Sequence, residues 1–482
     1  MGVNNSRFFF ILMSVGAAIG IGNIWTYPYF SFKLTGLFFV PYLISLAALG
    51  VPLLMLEFSI GQYFSKNVVD LFASIRKWFS SIGWLMIFNA FIVMSLYAVT
   101  LSWHIIYFFV SFGLQWKYEA ESYFFNNVLQ ASDGFRNFSQ FSLPVFIALI
   151  IAWLIVFFYI RKGFESMKKW FLVTLLIFAF LMLFFFVYSL TLDNALAGVH
   201  SFLKPDLRGL FSLDVWISSF SLAAISLGLS FGVMHALGRK SGKGFVVGNS
   251  LIVVIFEVLT SVAIGFIVFG IIGFLSMKQG IGIDKLAFSD PGSVFTVLTQ
   301  AMPFFYKPTL LSLLFFAFLA IFFILGTSSL AYSISHVLVH KFKTRHVNAA
   351  IIVAGFGFLA GLLFMIKPGF YIMDIASHFV FYNVLIAVLL EVVAVGWFFE
   401  SERISDYINQ YSILRIGNLW RFIVQYITPL ILLVLIFIQI KSDYLLTYNN
   451  YPLWAVIVFG VGIVVAPLIV AFLMPQKILD RK

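Results

Sequence analysis

Cysteine is absent from the 482 residues. No disulfide braces an outer loop, which suits a prokaryotic membrane protein better than an animal cell-surface one. Charge is scarce as well. Only 10% of residues are Asp, Glu, Lys or Arg, where soluble domains carry about a quarter. There is no Gly-rich nucleotide loop, no nucleophile constellation and no paired metal spacing among the His residues, so the chain does not read as an enzyme. What fills the sequence is apolar: 62% hydrophobic, with a mean hydropathy of +1.04. No soluble core hides that much apolar surface, so the solvent is a bilayer.

A spanning helix needs roughly 20 apolar residues. Twelve such segments fall near 8–33, 38–61, 82–113, 141–160, 168–190, 214–238, 246–275, 309–340, 347–366, 371–399, 420–440 and 453–474. The expected fold class is an all-α polytopic membrane protein of twelve transmembrane helices, because open sheets cannot satisfy their backbone in lipid. The first segment is too long for a signal peptide and lacks a small-residue cleavage site. With the N-terminus inside, 20 of the 30 Lys and Arg residues lie on the inner face. That bias follows the positive-inside rule and puts both termini in the cytoplasm. The net charge of +11 is therefore topology, and no nucleic-acid partner is expected. Asn137-Phe138-Ser139 reads as a chance glycosylation tripeptide. The amphipathic run 293–301 suggests a short surface helix in an outer loop.

Two segments are interrupted. The first carries Gly16-Ala-Ala-Ile-Gly-Ile-Gly-Asn23, and the sixth carries Ser226-Leu-Gly-Leu-Ser-Phe-Gly232. Each opens a group of five helices. Five is odd, so the groups enter the membrane from opposite sides and the repeats are inverted. Paired Gly-rich interruptions point to a transporter with its site at the membrane midplane. Small residues for close helix packing are the plainer reading of either run alone. An unwound stretch frees carbonyls for a cation and exposes helix-end N–H groups for a carboxylate.

These runs, with Pro41-Tyr42 and the stretch Gly50 to Gln62, resemble the neurotransmitter:sodium symporter family, in its prokaryotic amino-acid transporter branch. Tyr97 with Trp103, Gly163-Phe-Glu165, Lys204-Pro-Asp206, Gly326-Thr-Ser-Ser329, and Glu391 with Trp397 extend the resemblance over most of the chain. It implies two inverted five-helix repeats with broken helices 1 and 6, over 1–190 and 191–399, and two further helices over 400–482. It also implies sodium-coupled uptake of an amino acid. By the same resemblance, one sodium site takes carbonyls of Gly16, Ile19 and Ile324 with the hydroxyls of Thr327 and Ser328. Oxygen-only ligands suit a hard cation. The other takes the Ala18 carbonyl, Asn23, Ser226 and Glu257. The substrate pocket is formed by Ala18, Gly20, Val93, Tyr97, Ile225, Gly228, Phe231, Ser328 and Tyr332. Gly20 leaves room for a substrate carboxylate where monoamine carriers place an Asp, and Tyr97 donates its hydroxyl to that carboxylate. Ile225 and Phe231 make the pocket apolar, so a neutral hydrophobic or aromatic amino acid is expected.

Departures from the family pattern are specific. Thr26 replaces the outer-gate Arg, and its partner acid falls at Ala376, with Asp374 close by. Losing one alone would strand an intramembrane charge. Leu222 replaces a Gln that contributes to chloride binding in animal relatives, so no chloride is expected. The inner-gate Trp position is Asn4, and the inner acid falls within His340 to Lys343. Both gates are expected to close by packing. His336 and His340, four residues apart, read as solvated cytoplasmic residues. Glu57 and Glu391 read as structural acids. Glu257 stands where the family has an Asn. It ligates sodium, supplies the fixed charge that chloride supplies elsewhere, carries a proton, or is a structural acid bonded to Ser261.

The resulting expectation is a sodium-coupled importer of a neutral amino acid in a prokaryotic inner membrane, binding one or two Na+. A proton-coupled or uncoupled carrier and a non-transporting sensor remain alternatives. Oligomeric state is encoded in none of these features.

Overall fold

The computed structural model describes residues 3–18, 23, 26–34, 38–132, 134–138, 140–204, 210–241, 243–286, 293–445 and 448–478. Among these the regular structure is helical, apart from a single bridge between Phe141 and Ile366. Among the described residues, nine helices are long and apolar enough to cross a membrane. Three shorter apolar helices, Arg7–Ala18, Leu213–Ser226 and His346–Leu362, fall in the remaining segments expected from hydropathy.

The elements that build the centre are α1 (Val3–Ala18), α2 (Tyr27–Lys33), α3 (Phe39–Phe64), α4 (Val68–Ile75), α5 (Ser80–Val110), α6 (Leu143–Ile160) and α7 (Phe164–Leu190). They continue with α8 (Leu213–Ser226), α9 (Val233–Lys240), α10 (Val246–Gln279), α11 (Ser293–Ala301), α12 (Pro308–Phe342), α13 (His346–Leu362) and α14 (Gly369–Val393). Local chemistry sets their ends. Pro52 lacks an N–H, and α3 widens to a π turn over Leu46–Gly50 just before it. Asn67 caps α4 by accepting the Asp70 N–H at 3.1 Å. Ser142 caps α6 by accepting the Val145 N–H.

The long helices α5 and α12 pack along one another and form the spine. Of the nine spans, α5 is the most enclosed, with 83% of its most apolar window buried. Leu453–Met474 is the least, at 17%, and the rest of the chain leaves most of it uncovered.

The expected span 214–238 is broken, as its glycines suggest. Helix α8 stops at Ser226, where the Gly228 N–H donates to the Ile225 carbonyl at 2.9 Å, and α9 starts at Val233. Between them φ is positive at Gly228 (65°), Ser230 (60°) and Gly232 (71°). Alternating left-handed residues cannot continue a helix. The corresponding run in the first segment lies largely outside the described residues. Helix α1 ends at Ala18, and of residues 19–25 only Asn23 is described.

The short helix expected over 293–301 is α11. It docks against the other long hydrophilic stretch, 114–140: Trp116 Nε1–H donates to the Thr299 carbonyl at 3.1 Å. Phe295 meets Tyr107, Phe124 and Phe316 in a buried aromatic cluster.

Candidate ion and substrate site

Glu257 is the hub. It lies on α10, 1% exposed, among apolar side chains. A buried carboxylate needs hydrogen-bond donors to offset its lost hydration. Ser261, one turn on, donates to Glu257 Oε1 at 3.0 Å. Asn23 Nδ2 donates to the same oxygen and to Ser261 Oγ, both at 3.2 Å. The Tyr42 hydroxyl from α3 also bonds Glu257 Oε1 and lies 2.9 Å from Ser226 Oγ, the last residue of α8. Three helices and the first interruption thus converge on one carboxylate oxygen. The structural bond to Ser261 is present, but it engages Oε1 alone. Among the described residues, Glu257 Oε2 and Asn23 Oδ1 are buried without a hydrogen-bond partner. Unpaired acceptor oxygens in a dry interior are costly unless a cation or donor reaches them. Ala18, buried at the end of α1, is the remaining described member of this set.

The second oxygen set lies on α12. Three successive hydroxyl residues behave differently there. Ser329 Oγ donates to the Leu325 carbonyl at 2.8 Å, an ordinary back-bond within the helix. Thr327 Oγ1 and Ser328 Oγ are fully buried and have no hydrogen-bond partner among the described residues. Helix α1, carrying Gly16, packs against α12, which also carries Ile324. A Cβ on Gly16 would lie 2.3 Å from the Phe171 ring, so glycine also lets α1 approach α7. Ile19 and Gly20 lie outside the described residues.

The described substrate residues sit on α1, α5, the end of α8, the 227–232 break and α12. Ala18, Val93, Tyr97, Gly228, Phe231, Ser328 and Tyr332 are buried, and Ile225 is half-buried. Tyr97 sets its ring edge-on to Phe323 at 5.8 Å. Ser333 Oγ donates to the Phe231 carbonyl at 2.8 Å, tying the break to α12. A Cβ on Gly228 would meet the Ala17 carbonyl at 3.2 Å, so the break and α1 are in backbone contact there.

At the gates, Thr26, Leu222 and Ala376 are all buried. Asp374 accepts hydrogen bonds from Tyr448, Asn449 and Tyr451 at 2.9–3.0 Å, which commits it to the 448–451 segment. Near the expected inner gate, packing is joined by a charge contact. Lys341 Nζ lies 2.6 Å from Asp70 Oδ1, joining α12 to α4. His336 is not solvated: it is buried, with Nε2 3.0 Å from Arg239 Nη1. The guanidinium can only donate, so the ring nitrogen accepts. The Asn4 side chain is outside the described residues.

Two features escaped the sequence reading. Tyr42 is present in the Pro41-Tyr42 motif, but nothing local shows that its hydroxyl reaches Glu257. His235 on α9 has Glu57 of α3 and Glu391 of α14 at its two ring nitrogens, at 3.2 and 3.0 Å. No spacing in the sequence joins those three.

Apolar spans, an interrupted helix and buried oxygens without partners are the marks of an ion-coupled membrane transporter. The chain belongs to the sodium:neurotransmitter symporter family, whose model matches residues 2–122 and 115–480. It is 29% identical to an uncharacterized sodium-dependent transporter of Methanocaldococcus jannaschii over 98% of this chain and 97% of the relative. It is 26% identical to the human sodium- and chloride-dependent GABA transporter 2, covering 93% of this chain and 82% of that one. The human sodium- and chloride-dependent taurine transporter is also 26% identical, covering 94% and 80%. Membership makes this a multi-pass, sodium-coupled transporter.

Proposed function

We propose that the chain imports a neutral amino acid with an apolar or aromatic side chain, together with one or two sodium ions, into a prokaryotic cell. In this reading twelve spans form two inverted repeats, 1–190 and 191–399, with two added helices over 400–482 and both termini in the cytoplasm. The observation that carries it is that four of the buried oxygens without a partner among the described residues, Asn23 Oδ1, Glu257 Oε2, Thr327 Oγ1 and Ser328 Oγ, belong to the expected ligand sets. They fall into the two groups expected for two sodium ions. One is completed by the Ala18 carbonyl and Ser226, the other by carbonyls of Gly16, Ile19 and Ile324. The substrate carboxylate sits by Gly20 within reach of the Tyr97 hydroxyl. Its side chain lies among Val93, Ile225, Phe231 and Tyr332.

Glu257 divides its work between its two oxygens. Oε1 gathers Tyr42, Asn23 and Ser261, and Oε2 faces the cation. Its fixed negative charge does what a bound anion does elsewhere, so this carrier needs no chloride, unlike the relatives named as chloride-dependent.

The test is uptake by proteoliposomes under an inward sodium gradient, screening the twenty amino acids with GABA and taurine. Sodium-dependent accumulation of apolar or aromatic amino acids is expected, unchanged when gluconate replaces chloride. Uptake driven by a proton gradient alone, with no sodium effect, overturns the coupling. Uptake restricted to charged or very small substrates overturns the specificity. Sodium-dependent binding without accumulation would make the chain a sensor.

A further inference from the structure

Glu57, His235 and Glu391 are fully buried and belong to neither oxygen set. One ligand atom from each lies within 4.8 Å of the others. Close helix packing brings them together. Helix α9 meets α3 at Gly61, where a Cβ would lie 2.4 Å from the His235 carbonyl, and at Gly238, where one would lie 2.7 Å from the Phe58 carbonyl. The same two acids hold the break. The Ser230 N–H donates to Glu57 Oε1 at 2.7 Å, and Ser230 Oγ lies 3.4 Å from Glu391 Oε2. Ser230 is the non-glycine residue held at positive φ in that break. Such a conformation persists where its surroundings over-determine it.

Hydrogen counting sets the chemistry. His235 Nε2 bonds Glu391 Oε1 at 3.0 Å. His235 Nδ1 faces Glu57 Oε2 at 3.2 Å as an ion-pair contact, and among the described residues neither atom completes a hydrogen bond in this geometry. A neutral imidazole carries one N–H, and an ionised carboxylate carries none. With one hydrogen for two contacts, a lone pair would face a buried carboxylate oxygen. Two hydrogens make both contacts favourable, either as an imidazolium or as a neutral ring beside a carboxylic acid. The groups around the ring add nothing that substitutes. Helix α4 offers the Phe72 ring, and its Asp70 is paired with Lys341. Arg239, further along α9, turns to His336 of α12. Arg7 of α1 bonds Asn249, and Glu257 of α10 is engaged by Tyr42, Asn23 and Ser261. A single metal ion would take only one ring nitrogen, so it would leave one of the two ring contacts unmade.

We propose that Glu57, His235 and Glu391 form a proton-binding site. It holds one proton more than a neutral imidazole and two carboxylates would, and that proton fastens the second half of the broken helix to α3 and α14. Filling the site leaves the triad with a net charge of −1, and emptying it leaves −2.

The test counts hydrogens on the full chain in lipid nanodiscs at pH 7.5, using 15N-histidine and 13C-carboxyl-glutamate spectra. His235→Gln and Glu391→Gln assign the signals. Two hydrogens are expected on the wild-type triad, as an imidazolium or as one carboxylic acid. Glu391→Gln supplies an amide N–H to the ring in place of the shared proton, so its triad should hold one proton fewer and keep sodium-driven uptake within about threefold. Hydrogen exchange at the Ser230 amide should quicken at least tenfold in His235→Leu and stay near wild type in Glu391→Gln. A neutral ring beside two ionised carboxylates in the wild type overturns the proposal, as does stoichiometric metal by elemental analysis. Unchanged exchange in His235→Leu overturns the fastening. If that variant does not fold, the proton counts of wild type and Glu391→Gln decide.

Discussion

Replacing Glu257 with Gln separates the two roles of this residue. The amide oxygen can take the place of Oε1 and keep its bonds to Tyr42, Asn23 and Ser261. The amide nitrogen then replaces Oε2, the oxygen without a partner. A donor stands where an anionic acceptor was. A unit charge about 4 Å from a monovalent cation contributes about 4 kcal/mol at an effective dielectric near 20. A rotated amide returns up to about half of that through its carbonyl dipole, so about 2–4 kcal/mol of cation binding is lost. At about 1.4 kcal/mol per tenfold, half-maximal sodium activation should shift upward about 30- to 700-fold. The unliganded fold should change little, because weaker hydrogen bonds are offset by removing a buried charge. The assay is substrate binding to purified protein over a sodium titration, paired with thermal melts in sodium-free buffer. A folded variant whose sodium activation lies within about twofold of wild type would refute the assignment of Oε2 to the cation.

Three further outcomes follow from the same geometry. Thr327→Val removes a buried hydroxyl that has no partner; sodium activation should weaken about 10- to 100-fold, for about 1.5–3 kcal/mol of ion-dipole contact, while the sodium-free melting temperature does not fall. Gly228→Ala forces a side chain into positive φ and against the Ala17 carbonyl at 3.2 Å; a stability loss of about 1–3 kcal/mol is expected in denaturant melts, with uptake reduced. Tyr97→Phe keeps the edge contact with Phe323 and deletes the hydroxyl; KM for the amino acid should rise about tenfold or more, whereas an unchanged KM would remove Tyr97 from carboxylate binding.

The sequence carried the helices because a lipid solvent leaves few alternatives, and it carried the second break because Gly228 and Gly232 sit where φ turns positive. Glu257 was legible as an acid inside an apolar run, and Asn23 and Ser226 through the family resemblance. Ser261 was legible as the neighbour one turn from Glu257. Tyr42 was not, since its bond to Glu257 spans two elements whose relative rotation no local pattern records. The Glu57–His235–Glu391 contact is harder still, because it joins α3, α9 and α14 through glycine-mediated packing. His336 misled for the opposite reason. Near the inner end of a helix it looks solvated, and only the Arg239 contact shows that it is buried.

Two contact clusters near opposite ends of α12 are held by different forces. At one, Tyr107, Trp116, Phe124, Phe295 and Phe316 pack without a charge among them, and such packing is indifferent to screening. At the other, Lys341 and Asp70 meet at 2.6 Å, with the Asp70 side chain 35% exposed. At physiological ionic strength charges are screened over about 8 Å, and more salt shortens that reach. Ionic strength therefore acts on α12 as a one-sided lever: it loosens the Lys341–Asp70 fastening and leaves the aromatic one untouched.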